Sequence, residues 1–336
     1  MKMTRRTFAQ GMLASASLAA LPSWVRAAET PAAPKPATGK VVYGGSPWLG
    51  HYPAYLADSL GYYKEAGIEQ AWQGFATSSA RMSAFMSGDV DIGCAGIVSA
   101  LALMSRGAKQ FAIIGIPESF GRVEGIAVRP GIKSVEDLKG KKIGVTFAAS
   151  THVLVLDVLK QAGFKPNDAT VLNIPGPELQ AAIKTGQIDA AAAWTPHFEN
   201  ILREPGVTLL ADDTKFSLYK SHKVTPGPDV LLVRRAFAQK NPELVKAYLA
   251  CYYKGSDVLR EKPEQAAAAL TKLTNLPLPE QLAAVKGADW YPASQQKELL
   301  TGVYPDGLQK LAELLVAYKQ IDSAPSVKDW IDPSFA

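Results

Sequence analysis

The chain has 336 residues, 47% hydrophobic and 20% charged, which is enough for two domains of ordinary size and unlike a disordered composition. Four of its cations, Lys2, Arg5, Arg6 and Arg26, lie in the first 27 residues, so the formal charge of +5 falls to about +1 once that segment is set aside. A nearly neutral chain gives no ground for nucleic acid or an anionic membrane as partner. Cys94 and Cys251 are too few for a disulfide scaffold and are expected as two separate, mostly buried thiols.

Residues 1–27 read as an export leader. Thr4-Arg5-Arg6-Thr7-Phe8 resembles the twin-arginine signal, an Ala/Ser-diluted apolar run follows, and Val25-Arg26-Ala27 offers a small-residue cleavage site. No Cys follows the run to carry a lipid anchor, and no later segment approaches about 18 uninterrupted apolar residues. A soluble periplasmic product is expected. Residues 28–40, rich in Pro and Ala and without periodicity, read as a flexible linker.

A strand is predicted at 41–43, then a helix over 52–66 closed by Gly67. A second helix spans 77–87, with Thr77 or Ser78 at its start and Gly88 at its end. Val90 and Ile92 alternate with Asp89 and Asp91 as a half-buried strand would. A helix over 97–107 and strands at 111–116 and 125–128 complete the first half. The second half begins with a capped turn at 134–140 and a strand at 142–147. A helix from Ser150-Thr151 to Ala162-Gly163, a strand at 171–174, a helix over 177–185 and a strand at 188–193 follow. Thr208-Leu-Leu210 precedes an apolar strand at 229–233, and the chain is mainly helical from Ala236 onward.

One phrase occurs twice. Residues 87–96 read SGDVDIGCAG and residues 185–194 read TGQIDAAAAW. In each, a Gly suited to the left-handed residue that ends a helix precedes a short strand with Asp near its start. The repetition predicts one α/β theme used in two similar lobes, and the βαβ alternation predicts parallel sheets covered by helices. Asp91 and Asp189 are expected to be structural, bonding backbone near their turns.

These segments resemble the periplasmic substrate-binding proteins of ABC importers for taurine, aliphatic sulfonates and nitrate, most nearly the taurine-binding type. The resemblance rests on residues 87–93, on Ala149-Ser-Thr-His-Val-Leu-Val-Leu156 and on Ala162-Gly-Phe-Lys-Pro166. It continues through residues 185–196, 229–237 and 291–297 and covers nearly all of the chain after the leader. It implies an α/β, type II periplasmic-binding-protein fold: two similar lobes, a ligand cleft between them and two hinge crossings. Lobe one is expected as 41–126 plus 231–336 and lobe two as 127–230. It further implies a monomer that hands its ligand to an inner-membrane permease.

Anion binding needs bare N–H groups at helix starts. Thr77 and Ser78 open one helix and Ser150, Thr151 and His152 another, although ordinary helix capping also accounts for Ser and Thr there. An amine needs carboxylates, and Glu124 and Asp229, at the expected hinge strands, match acidic positions of the taurine type; a surface pair with Lys or Arg is the alternative. Trp194 is expected as a wall against the ligand or as core packing. Ser46 and Trp48, after the first strand, rim the cleft together with Gly96, which leaves room for a ligand. The chain departs from the taurine type at Ile97-Val98 and at Ala149, where the family carries hydroxyls. The expected ligand is a small anionic or zwitterionic sulfonate, taurine first. A pyrimidine, nitrate or an aromatic or carboxylic acid in the same clamp, or a role beside a sensor, stays open. The four histidines lack metal spacing, and there is no nucleophile elbow, phosphate loop or dinucleotide motif. A binding protein without catalytic residues, metal or cofactor is therefore expected, not an enzyme.

Overall fold

The computed structural model describes residues 37–147 and 149–336, so the leader and residues 28–36 lie outside the described residues, while Gly39 and Lys40, expected in the linker, already lie in a strand. The strands are β1 (Gly39–Gly45), β2 (Ile68–Gly74), β3 (Ile92–Gly96), β4 (Phe111–Gly115), β5 (Glu118–Phe120) and β6 (Glu124–Val128). They continue with β7 (Lys142–Val145), β8 (Thr170–Asn173), β9 (Ala190–Trp194), β10 (Thr208–Asp212), β11 (Asp229–Arg234) and β12 (Ala288–Trp290). Two five-stranded sheets result, ordered β2-β1-β3-β11-β4 and β10-β6-β9-β7-β8, and β5 and β12 form a separate ribbon.

The sheets are copies of one pattern. β1 pairs in parallel with β2 and β3 as β7 does with β8 and β9. One antiparallel strand, β11 in the first sheet and β6 in the second, lies between the parallel set and the edge strand, β4 or β10. In each sheet that strand comes from the far side of a crossing. β6 belongs wholly to the second sheet and β11 wholly to the first, so 124–126 and 229–230 fall on the opposite side of the boundaries expected from the sequence. The fold is the expected type II periplasmic-binding-protein fold.

The doubled phrase maps onto equivalent junctions. Gly88 and Gly186 end their helices at φ +92° and +77°. Asp91 accepts the N–H of Val42 at 3.0 Å and Asp189 that of Lys142 at 2.9 Å, so each ties its strand to the start of the neighbouring one. The strands that follow are buried on both faces, which suits Ile92-Gly-Cys-Ala and Ala190-Ala-Ala-Ala.

Two local expectations fail. The helix expected over 52–66 breaks into Tyr52–Ser59 and Tyr62–Glu65, because Gly61 adopts φ +81° between them. β2 was not anticipated: as an edge strand it exposes residues on both faces and shows only a weak alternation. The helix Pro242–Glu261 packs on the first sheet, with Tyr248 and Tyr252 fully buried against the cluster around Tyr43. Cys94 and Cys251 are both buried and free.

Candidate functional site

Because β11 and β6 run against their neighbours, each starts where a parallel strand ends. Asp229, first in β11, pairs with Gly96, last in β3; Glu124, first in β6, pairs with Trp194, last in β9. Both acids therefore stand at the carboxyl ends of the parallel strands, the edge at which open α/β sheets bind ligands. A cavity of about 290 Å³ lies there. Ser46, Trp48, Thr77, Ser78, Gly96, Glu124, Ser150, Trp194 and Asp229 all line it.

Thr151 and His152 do not line it, contrary to expectation. Successive helical residues point about 100° apart. Ser150 therefore takes the cleft side while Thr151 is fully buried, and the His152 ring stacks on Phe147 with centroids 4.4 Å apart. Thr77 acts as a helix cap, its hydroxyl accepting the N–H of Ala80 at 3.1 Å.

Sequence reasoning missed Arg81 and Ser99, which also line the cavity. Arg81 is 3% exposed; its guanidinium donates to the Ser78 hydroxyl at 3.2 Å, and its Nε and one terminal nitrogen have no partner among the described residues. A guanidinium out of water with free N–H groups is a costly arrangement that an incoming anion relieves. One signal was available. Arg81 occupies the place in the first phrase's helix that Leu179 occupies in the second, a core position on the repeat.

Opposite charge is supplied by the acids. Asp229 is 3% exposed and accepts the Trp48 indole N–H at 2.6 Å. Burial raises its carboxyl above the usual range, and the hydrogen bond from Trp48 and the nearby Arg81 oppose that rise. Glu124, also 3% exposed, accepts from the Ser150 hydroxyl, while its second oxygen has no partner among the described residues. Burial pushes its carboxyl up to about 8 despite the bond from Ser150. Asp213 stands behind it and accepts the Glu124 N–H at 3.1 Å. The cleft thus holds a desolvated cation, two desolvated acids, Ser hydroxyls and two indole faces, an arrangement for gripping a small ligand with both charges.

Comparison with known proteins places the chain in a family. Residues 48–266 match the family model described as NMT1/THI5 like. The chain belongs to that family. It is 31% identical to the taurine-binding periplasmic protein of Escherichia coli (strain K12), over 82% of this chain and 85% of the relative. It is 30% identical to the putative aliphatic sulfonates-binding protein of the same strain, over 65% of each. Among solved structures, the periplasmic aliphatic sulphonate binding protein SsuA from Escherichia coli superposes with a TM-score of 0.75 at 24% identity, covering 89% of this chain and 92% of that one. No helix among the described residues is long and apolar enough to cross a membrane.

Proposed function

We propose that the protein is a periplasmic solute-binding protein that closes on a small zwitterionic sulfonate, taurine first, and delivers it to an inner-membrane ABC permease. The observation that carries this reading is Arg81, a buried cation with unpartnered N–H groups in the same cavity as Asp229 and Glu124. The sulfonate would take the Arg81 guanidinium with the Ser78 and Ser99 hydroxyls, and the ammonium would take Asp229 and Glu124. Each charge-assisted bond formed out of water contributes about 1.5–3 kcal/mol. Trp48 and Trp194 would pack on the short alkyl link. The relatives support a binding role over an enzymatic one, and the clamp is complete within one chain, so we read it as a monomer. Export by the twin-arginine route is part of the same proposal.

Calorimetric titration tests it. Taurine is expected to bind at least tenfold more tightly than ethanesulfonate, which lacks the amine and so forfeits one charge-assisted bond of about 1.5 kcal/mol or more. Heat with a pyrimidine or an aromatic acid but with no sulfonate would overturn it.

A further inference from the structure

Asp229 is set by a single turn of backbone. Trp48 leads into one 3-10 turn, Leu49–His51, closed by the His51 N–H on the Trp48 carbonyl at 3.0 Å. The side chains flanking Gly50 are committed elsewhere: Leu49 joins the cluster around Tyr52 and Trp290, and His51 Nδ1 pairs with the Tyr43 hydroxyl at 3.1 Å. Gly50 between them is itself buried and outside the cavity lining, and its carbonyl accepts the Tyr252 hydroxyl at 3.4 Å.

Position 50 points at the Asp229 carboxyl. An ideal Cβ built there would collide with Asp229 Oδ2 and stand 2.8 Å from its Cγ and 2.6 Å from the Cys94 Sγ, nearer than Cβ atoms pack. Oδ2 is the oxygen that takes the Trp48 indole N–H at 2.6 Å. The other oxygen, Oδ1, is the one atom within 4 Å of an ideal Cβ at Gly96, at 3.8 Å, and Gly96 lines the cavity. One turn therefore supplies a donor to Oδ2 and bare backbone that fills the space beside it, which leaves Oδ1 for a ligand. The other hinge acid is set differently. Glu124 accepts from the Ser150 hydroxyl, and Gly227, lining the same cavity, lies against Ser150 and not against the carboxyl.

We propose that Gly50 is a positioning residue that makes this wall of the cleft selective for ligands carrying an ammonium group. By excluding a side chain it keeps Asp229 on the Trp48 indole, so that Oδ1 meets the ammonium as a preorganised acceptor. A methyl group at position 50 has two outlets. The turn resists withdrawal, because Tyr252, the Tyr43 contact and the Leu49 cluster hold it. The carboxyl is the end of a side chain and swings instead, which breaks the Trp48 bond and turns Oδ1 from the ammonium. The ligand half of this inference rests on the clamp reading; the coupling of Gly50 to Asp229 does not.

Gly50→Ala tests it, titrated with taurine and with ethanesulfonate, which has no ammonium. Taurine affinity should fall about tenfold, while ethanesulfonate affinity stays within about twofold of the wild type. Unchanged taurine affinity overturns the proposal, and so does an equal loss for both ligands, which is what a merely structural role would give. In the Asp229→Ala background the added methyl meets no carboxyl, so Gly50→Ala should then change taurine affinity by less than about twofold. A further tenfold loss there overturns the proposal. The urea midpoint should drop on Gly50→Ala in the wild type and hold in the Asp229→Ala background. Equal drops in both would place the restriction at Cys94 and overturn the coupling to Asp229. If Gly50→Ala alone does not fold, the double variant with Asp229→Ala must, and an unfolded double variant overturns the proposal equally. Failure of every sulfonate to bind the wild type would overturn the clamp reading, while the urea comparison would still stand or fall alone.

Discussion

The two sheets use one plan, and they part most clearly at one buried position. In the first, Arg81 lies on Gly44 of β1, where an added Cβ would sit 3.1 Å from its side chain. In the second, Leu179 lies on Gly144 of β7, where the corresponding distance is 3.0 Å. Leu179 closes a dry core, whereas Arg81 brings a cation to the mouth of the cleft. The acids at the hinge-strand starts differ less. Asp229 is held by an indole and faces a cation; Glu124 is held by a serine and has a second acid behind it. A repeated fold thus supplies equivalent places, and a few substitutions at those places make one side a receptor for an anion.

The sharpest break of this comparison is Arg81→Leu, which rebuilds the first sheet on the pattern of the second. Taurine affinity should fall by about 100-fold or more, as several charge-assisted bonds are lost together. The fold should survive, since an apolar side chain replaces a buried charge that lacks an ion-pair partner. Calorimetry and urea unfolding read the two outcomes, and a variant that binds normally would remove Arg81 from the site.

The hinge acids should respond unequally. Asp229→Asn should weaken taurine binding by about 10- to 100-fold. Glu124→Gln should cost only about threefold at pH 7, because a carboxyl pushed up to about 8 is mostly protonated there. Its cost should grow toward pH 9, where the wild type has the ionised form to offer. Equal losses at pH 7 would contradict the asymmetry.

The two aspartates of the doubled phrase should affect stability and not binding. Asp91 bonds the Val42 N–H and also meets Arg234 at 2.5 Å, whereas the Asp189 side chain bonds the Lys142 N–H with no cation beside it among the described residues. Asp91→Ala should cost about 2–3 kcal/mol in urea unfolding and Asp189→Ala about 1 kcal/mol. Taurine affinity should be unchanged in both.

The smallest effect concerns pH and the unliganded protein. Glu124 holds its proton more tightly folded, at about 8, than at its ordinary 4.5. The native state therefore binds more protons between those values, and its stability falls as pH rises through that window. Melting temperature should decline from pH 5 to pH 8, less steeply in Glu124→Gln. An identical slope in the variant would place the titration elsewhere.

Much of this was legible in residues. Helix-ending glycines, the doubled phrase and the βα alternation are local signals, and they located most of both sheets. Ser46, Trp48, Ser78, Ser150, Trp194 and the two hinge acids were readable because loops and strand starts at the carboxyl edge gather there in such a fold. Thr151 and His152 were misplaced because adjacent helical residues share a position in sequence but not a direction. Arg81 was missed because one cation among Met82, Ala84 and Phe85 resembles a solvated face until its burial is known.

By itself, then, the sequence determined which segments become strands and helices, that the theme occurs twice, and which family the chain resembles. Short-range preferences and spacing carry that information. Only the tertiary structure decided that Glu124 and Asp229 occupy matching places, that Arg81 is desolvated beside them, and that the Trp48 indole holds Asp229. Those facts depend on sheet register and on exclusion of water between segments more than a hundred residues apart, such as Trp48 and Asp229.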